Sequence, residues 1–111
     1  MKKYEEELIN TKTKYKLQFM ERITDEYKKR QAIQFFENGF GISIINIKNH
    51  DETFLSYTKS EEEYEIVVLE GNKESSRITY DTVITNDVIG YLGIEDVYEI
   101  MNKIENLQAV N

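Results

Sequence analysis

The dipeptide Asn38-Gly39 stands between two apolar runs in "QAIQFFENGFGISIINI". It constrains the chain more than any other feature. Asn-Gly tolerates positive φ at both central positions of a tight hairpin, so the flanking runs read as antiparallel strands near residues 32–36 and 40–47. In the second run Phe40, Ile42 and Ile44 share one face, while Ile45 and Ile47 lie on the other. A bulge, or a strand covered on both sides, accounts for that switch, and the adjacent Gly41 favours the bulge.

Two more strands follow. "YEIVVLE" from Tyr64 is one, Gly71-Asn72 begins the next turn, and "SRITYDT" supplies the fourth with Ile78 and Tyr80 on one side. Strands in close succession joined by tight turns predict an antiparallel meander. Between them, residues 48–63 form a polar excursion in which Phe54, Leu55 and Tyr57 make a short strand or a loop anchor. Near the C-terminus, Gly93 reads as a helix N-cap, with Glu95 and Asp96 in the first turn, where the helix dipole favours acids. Leu92 and Val97 fit a hydrophobic staple, and Val97, Ile100, Met101, Ile104 and Leu107 make a buried stripe. Residues 3–30 also read as helix, continuous or broken at "NTKT", because Tyr4, Leu8, Tyr15, Phe19, Ile23 and Tyr27 recur at helical intervals. The expected fold is α+β: a four-stranded antiparallel meander with a helix before it and a helix after it.

At 111 residues the chain fits a single domain, with 1–30 as a basic segment and 31–111 as an acidic core. No cysteine is present, so disulfides, thiolate metal sites and cysteine nucleophiles are excluded. No apolar run approaches the roughly 20 residues that cross a bilayer, and "MKKYEEEL" is charged rather than signal-like; a cytoplasmic protein is expected. The net charge of −7 divides unevenly: residues 1–30 hold nine basic and six acidic residues, leaving five and fifteen for the rest. A region at −10 opposes the phosphate neutralisation that drives nucleic-acid binding. It complements a basic protein surface instead.

Catalytic equipment is sparse. His50 is the sole histidine and lies in the polar "KNHDE" with no partner set to mark it as a base. There is no Walker loop, dinucleotide glycine pattern or nucleophile elbow, and the G-x-G of Gly39 and Gly41 belongs to a hairpin. In "DTVITND", Asp81, Thr82, Thr85, Asn86 and Asp87 are hard oxygen donors, but their spacing matches no EF-hand. Side chains of these types bond their own backbone in turns, which is the expected role here. Neither a cofactor nor a metal is expected. Asp51, Glu52, Glu61, Glu62, Glu63 and Glu65 remain as an acidic face for a protein partner.

"FENGFGISII", "YEIVVLE" and "ITYDTVITNDVIGYLGIEDVYEIMNKIENL" together resemble a group of small, mostly uncharacterised proteins encoded by phages and prophages of Gram-positive bacteria. The shared pattern is N-G-aromatic-G-x-S, then a Y/W-E-hydrophobic strand, then Y-D-T-x-I-T-x-D-V-hydrophobic-G-Y-L before an acidic helix. Asn38, Gly39, Phe40, Gly41, Ser43, Tyr64, Glu65, Tyr80, Asp81, Thr82, Ile84, Thr85, Asp87, Val88, Gly90, Tyr91 and Leu92 match it. The likeness spans residues 33–107, and Gly93 departs from the Ser or Thr expected at the cap. It implies a phage accessory origin and no established activity. The leading expectation is therefore a non-enzymatic binding protein that docks on and inhibits a host protein with a basic surface. A nucleic-acid-handling defence enzyme, inhibited in the anti-CRISPR manner, is one such target. The alternative is a structural or regulatory module that self-associates through Tyr4, Leu8, Tyr15, Phe19 and Ile23.

Overall fold

The structure, a computed structural model, describes residues 15–80, 82, 84 and 88–108. Its elements are β1 Met20–Ile23, β2 Tyr27–Phe35, β3 Phe40–Asn49, β4 Tyr64–Gly71, β5 Ser76–Ile78, β6 Ile89–Leu92 and the helix α1 Ile94–Glu105. β1 to β5 pair antiparallel in sequence order, and β6 returns antiparallel to β4. β5 pairs with Leu69–Gly71 and β6 with Tyr64 and Ile66, so the two short strands share one edge of β4. The α+β class and the antiparallel meander hold. Among the described residues the sheet has six strands rather than four.

The helix expected over 3–30 is not what forms where those residues are described. Residues 15–19 belong to no helix or strand and lead into β1 and β2; residues 1–14 lie outside the described residues. The apolar positions from Tyr15 also obey a period of two. Tyr15 is buried, and Leu17 and Phe19 pack against the core, whereas Lys16, Gln18 and Met20 are exposed. Both periods fit so short a pattern, and β2 resolves the ambiguity by pairing with Met20–Ile23. At the β1–β2 turn the Thr24 hydroxyl accepts the Glu26 and Tyr27 N–H groups. His50 secures that turn from outside, with its Nε2 2.8 Å from the Thr24 carbonyl.

The Asn38-Gly39 hairpin exists, with different turn chemistry. Phe36 N–H bonds the Phe40 carbonyl across a three-residue loop, and positive φ falls on Gly39 (88°) but not on Asn38. The Asn38 side chain is used elsewhere. Its Nδ2 donates to the carbonyls of Ile104, Glu105 and Leu107, and its Oδ1 accepts the Phe40 N–H. One side chain thus closes the hairpin and ties it to the carbonyls at the end of α1. β3 has no bulge beside Gly41; its register with β2 runs regularly from Gly41 to Asn49. A Cβ at Gly41 would lie 2.6 Å from the Phe35 ring, so the glycine makes room for that ring.

Ala32, Ile42, Ile44, Ile66 and Val68 line one face of the sheet, in register across β2, β3 and β4. Val97, Tyr98, Met101 and Ile104 of α1 pack with them in the core, and Ile100 is only partly buried. Gly93 caps the helix, and the Asp96 carboxylate accepts its N–H at 3.1 Å, completing the acidic first turn expected there.

Candidate partner-binding site

The polar excursion after β3 folds into a corner built on the edge that β4 leaves open. β4 begins opposite Asn46, so the last residues of β3 need other partners. Residues 54–56 supply them. Phe54 bridges Lys48, Leu55 N–H bonds the Ile47 carbonyl, and Ser56 Oγ accepts the Ile47 N–H. Buried Asn46 reaches the Ser60 and Glu63 carbonyls through its Nδ2, pinning the far side of the loop.

All six candidate acids lie in or beside this corner, but most are tied into it. Lys48 Nζ sits 2.9 Å from both the Glu52 and the Glu61 carboxylates. This pairing pulls the Glu61 carboxyl below its usual range and pushes the Lys48 ammonium up. Asp51 accepts the Thr53 N–H, and hydrogen bonds from Thr53 hold its carboxyl below the ordinary range. Glu63 accepts the Lys59 N–H at 2.7 Å, and Glu65 accepts the Tyr57 N–H at 2.9 Å. Glu62 is exposed at the turn and bonds Ser60 only through its own backbone N–H. A carboxylate has about four acceptor sites, so the tied acids keep capacity for a second cation.

Charge is less segregated in space than along the chain. Arg30, from the basic segment, donates to the Glu61 carbonyl and to the Tyr64 hydroxyl, and stacks over the Phe19 and Tyr64 rings. Lys28 pairs with Glu21 and adds to the field that lowers Glu61. A cleft lined by Glu21, Lys28, Arg30, Asn46, Lys48 and Glu61 therefore carries both signs. Of the residues named for self-association, Tyr15 is buried and hydrogen-bonds Glu105, Phe19 stacks on Tyr64, and Ile23 is exposed. Tyr4 and Leu8 lie outside the described residues.

No protein-family model, curated protein or solved structure matches the chain.

An aromatic pair that sequence reasoning left out completes the corner. β6 carries a bulge, with Gly90 and Tyr91 together opposing Glu65, between the pairs Tyr64–Leu92 and Ile66–Ile89. The extra residue lets Ile89 and Leu92 both pack on the core, though they are three positions apart. It puts Tyr91 at φ 57°, a left-handed conformation that costs a non-glycine residue about 1 kcal/mol. Tyr91 N–H bonds the Tyr57 carbonyl at 2.8 Å, and the two rings lie 6.5 Å apart. Both rings are more than half exposed, as is Leu55. Lys59 Nζ sits 5.5 Å from the centre of the Tyr91 ring. Tyr57 enters the sequence reading as part of a short strand or loop anchor, and Tyr91 only through the G-Y-L of the resemblance.

The D-T-x-I-T-x-D loop is described in part. The Thr82 hydroxyl accepts the Ile84 N–H, as in a hydroxyl-closed turn. Asp81, Thr85, Asn86 and Asp87 lie outside the described residues. Among the described residues no group of three or more His, Asp or Glu is placed to hold a metal ion, and no helix is long and apolar enough to cross a membrane.

Proposed function

We propose that the chain is a small binding protein that acts by contact rather than catalysis, docking its acidic corner on a basic surface of a host protein and inhibiting that protein. The carrying observation is that Asp51, Glu52, Glu61, Glu62, Glu63 and Glu65, scattered over fifteen positions, gather around one ordered loop. The loop is braced by Asn46, Ser56 and Lys48, so its carboxylates are presented with little ordering left to do on binding. The phage-type resemblance supports an inhibitor of a host enzyme that handles nucleic acid, since a fixed array of carboxylates competes with phosphates for a cationic groove. Residence in the host cytoplasm belongs to the same reading.

The test is association kinetics against a partner captured from a Gram-positive host lysate. Glu52→Lys with Glu62→Lys reverses two exposed charges; it gives up the Lys48–Glu52 pair and leaves the Lys48–Glu61 pair and the Asn46 and Ser56 braces in place. Slower association and a shallower salt dependence are expected, because charge complementarity acts mainly on encounter. Equal rates for the variant and the natural chain at low salt would reduce the corner to a solubility feature.

A further inference from the structure

The proposed acidic corner does not by itself account for Tyr57 and Tyr91. The bulge in β6 is explained by Ile89 and Leu92, which it brings to the same face. The ring at its centre is not explained. A positive φ of 57° is met with less strain by glycine or asparagine, and a residue 53% exposed contributes little to the core. The neighbouring backbone is also committed to this arrangement. A Cβ on Gly90 would fall 2.4 Å from Tyr57 Cβ, so the glycine is what allows the loop to bring Tyr57 against β6. Two tyrosines, exposed by 58% and 53%, are therefore held side by side on hydrogen-bonded backbone beside the carboxylates of Glu63 and Glu65. Tyrosine is among the residues enriched at the few positions that carry most of the energy of a protein contact.

The same site shows what it holds. The ammonium of Lys59 lies over the Tyr91 ring, attracted to the negative face of the π-system. Lys59 is exposed, and its backbone N–H, not its ammonium, is what Glu63 binds. A guanidinium can take the same place with better stacking on the ring and with a bidentate fork for a carboxylate. We infer that the Tyr57–Tyr91 pair is the anchor of the acidic corner, and that an arginine side chain of a basic protein partner replaces Lys59 over the Tyr91 ring. The inference rests on the reading of the corner as a docking surface, and its test separates the two.

The probe is a short oligo-arginine peptide, titrated at low salt into the full chain and followed by amide chemical shifts. Saturable shifts centred on Tyr57, Lys59, Gly90 and Tyr91 are expected. Tyr91→Gly removes the ring and suits the positive φ, so it should melt no lower than the natural chain while losing about tenfold in peptide affinity. If Tyr91→Gly melts well below the natural chain, the ring is a packing residue and the anchor is overturned. Unchanged affinity in Tyr91→Gly, alongside weaker binding in Glu52→Lys/Glu62→Lys, overturns the anchor and leaves the acidic corner standing. Loss in Tyr91→Gly with indifference to the two charge reversals supports the anchor and removes the charge reading. No saturable binding, or shifts confined to Glu52 and Glu61, overturns the anchor outright.

Discussion

Asn38 shows how much one side chain decides. Its amide donates to three carbonyls at the end of α1 while its oxygen accepts the Phe40 N–H. Asn38→Ala should cost about 1–3 kcal/mol, since part-buried acceptors lose a donor. Asn38→Asp should be worse. It places a carboxylate against carbonyl oxygens at the negative end of the helix dipole, and urea midpoints for the two variants would give that order directly. Tyr15 offers a second residue-scale measurement. Burial, then the Glu105 carboxylate at 2.6 Å, pushes its phenol far above the ordinary tyrosine range. A folded pKa raised above the unfolded one contributes stability that is full below about pH 10 and falls as pH rises beyond it. Denaturation followed from neutral to strongly alkaline pH should show this decline, and Tyr15→Phe should flatten it.

At the scale of elements, α1 and the β6 bulge are the vulnerable joints. Ile104 is fully buried against the sheet and Ile100 only partly so. Ile104→Ala should therefore cost about 2–5 kcal/mol and Ile100→Ala distinctly less, because the cavity term requires a site that solvent cannot fill. Equal urea midpoints for the two variants would mean that the helix is rotated from the orientation described. Gly90→Ala acts on the joint between β6 and the 54–58 segment. Its Cβ would meet the Tyr57 Cβ at 2.4 Å and the Tyr57 carbonyl oxygen at 2.7 Å, so one backbone must move. A cost of about 1–3 kcal/mol is expected. Hydrogen exchange at the Tyr91 amide, which bonds the Tyr57 carbonyl, should lose its protection in that variant.

For the whole molecule, the contrast between a basic beginning and an acidic remainder is partly cancelled by folding. β1 and β2 set Lys28 and Arg30 beside Glu61, and Lys48 joins Glu52 to Glu61. Glu61 and Asp51 both titrate below the ordinary carboxylate range, Glu61 through Lys48 and Asp51 through Thr53. Depressed folded values mean that their contribution is present at neutral pH and is lost as pH falls through them. Acid titration of the melting temperature should show that loss. Lys48→Met should make the acid limb shallower by raising Glu61 toward its unfolded value, while the Asp51 contribution stays. The groups are exposed, so the effect should be small and should shrink further in salt.

The sequence by itself determined what rests on neighbours along the chain. The hairpin at Asn38-Gly39, the strand from Tyr64 and the helix capped at Gly93 are each specified by a turn residue, an alternation or an acidic first turn within a few positions. The acidic residues after position 50 were equally legible as a charge balance. Tertiary structure alone decided the rest. Tyr15, Leu17 and Phe19 alternate as in a strand while Tyr15, Phe19 and Ile23 keep a helical interval, and only pairing with β2 decides for a strand at Met20–Ile23. Lys48 lies thirteen positions before Glu61, and Arg30 thirty-one positions before it; no local rule announces such pairings. Gly90 and Tyr91 enter the sequence reading only as part of the G-Y-L pattern; their role appears when β6 returns to β4 and must bring Ile89 and Leu92 to one face. The bulge that achieves this turns an ordinary tyrosine into an exposed ring beside Tyr57. That placement follows from long-range strand pairing, whose partners are set by the whole core and not by the residues next to them.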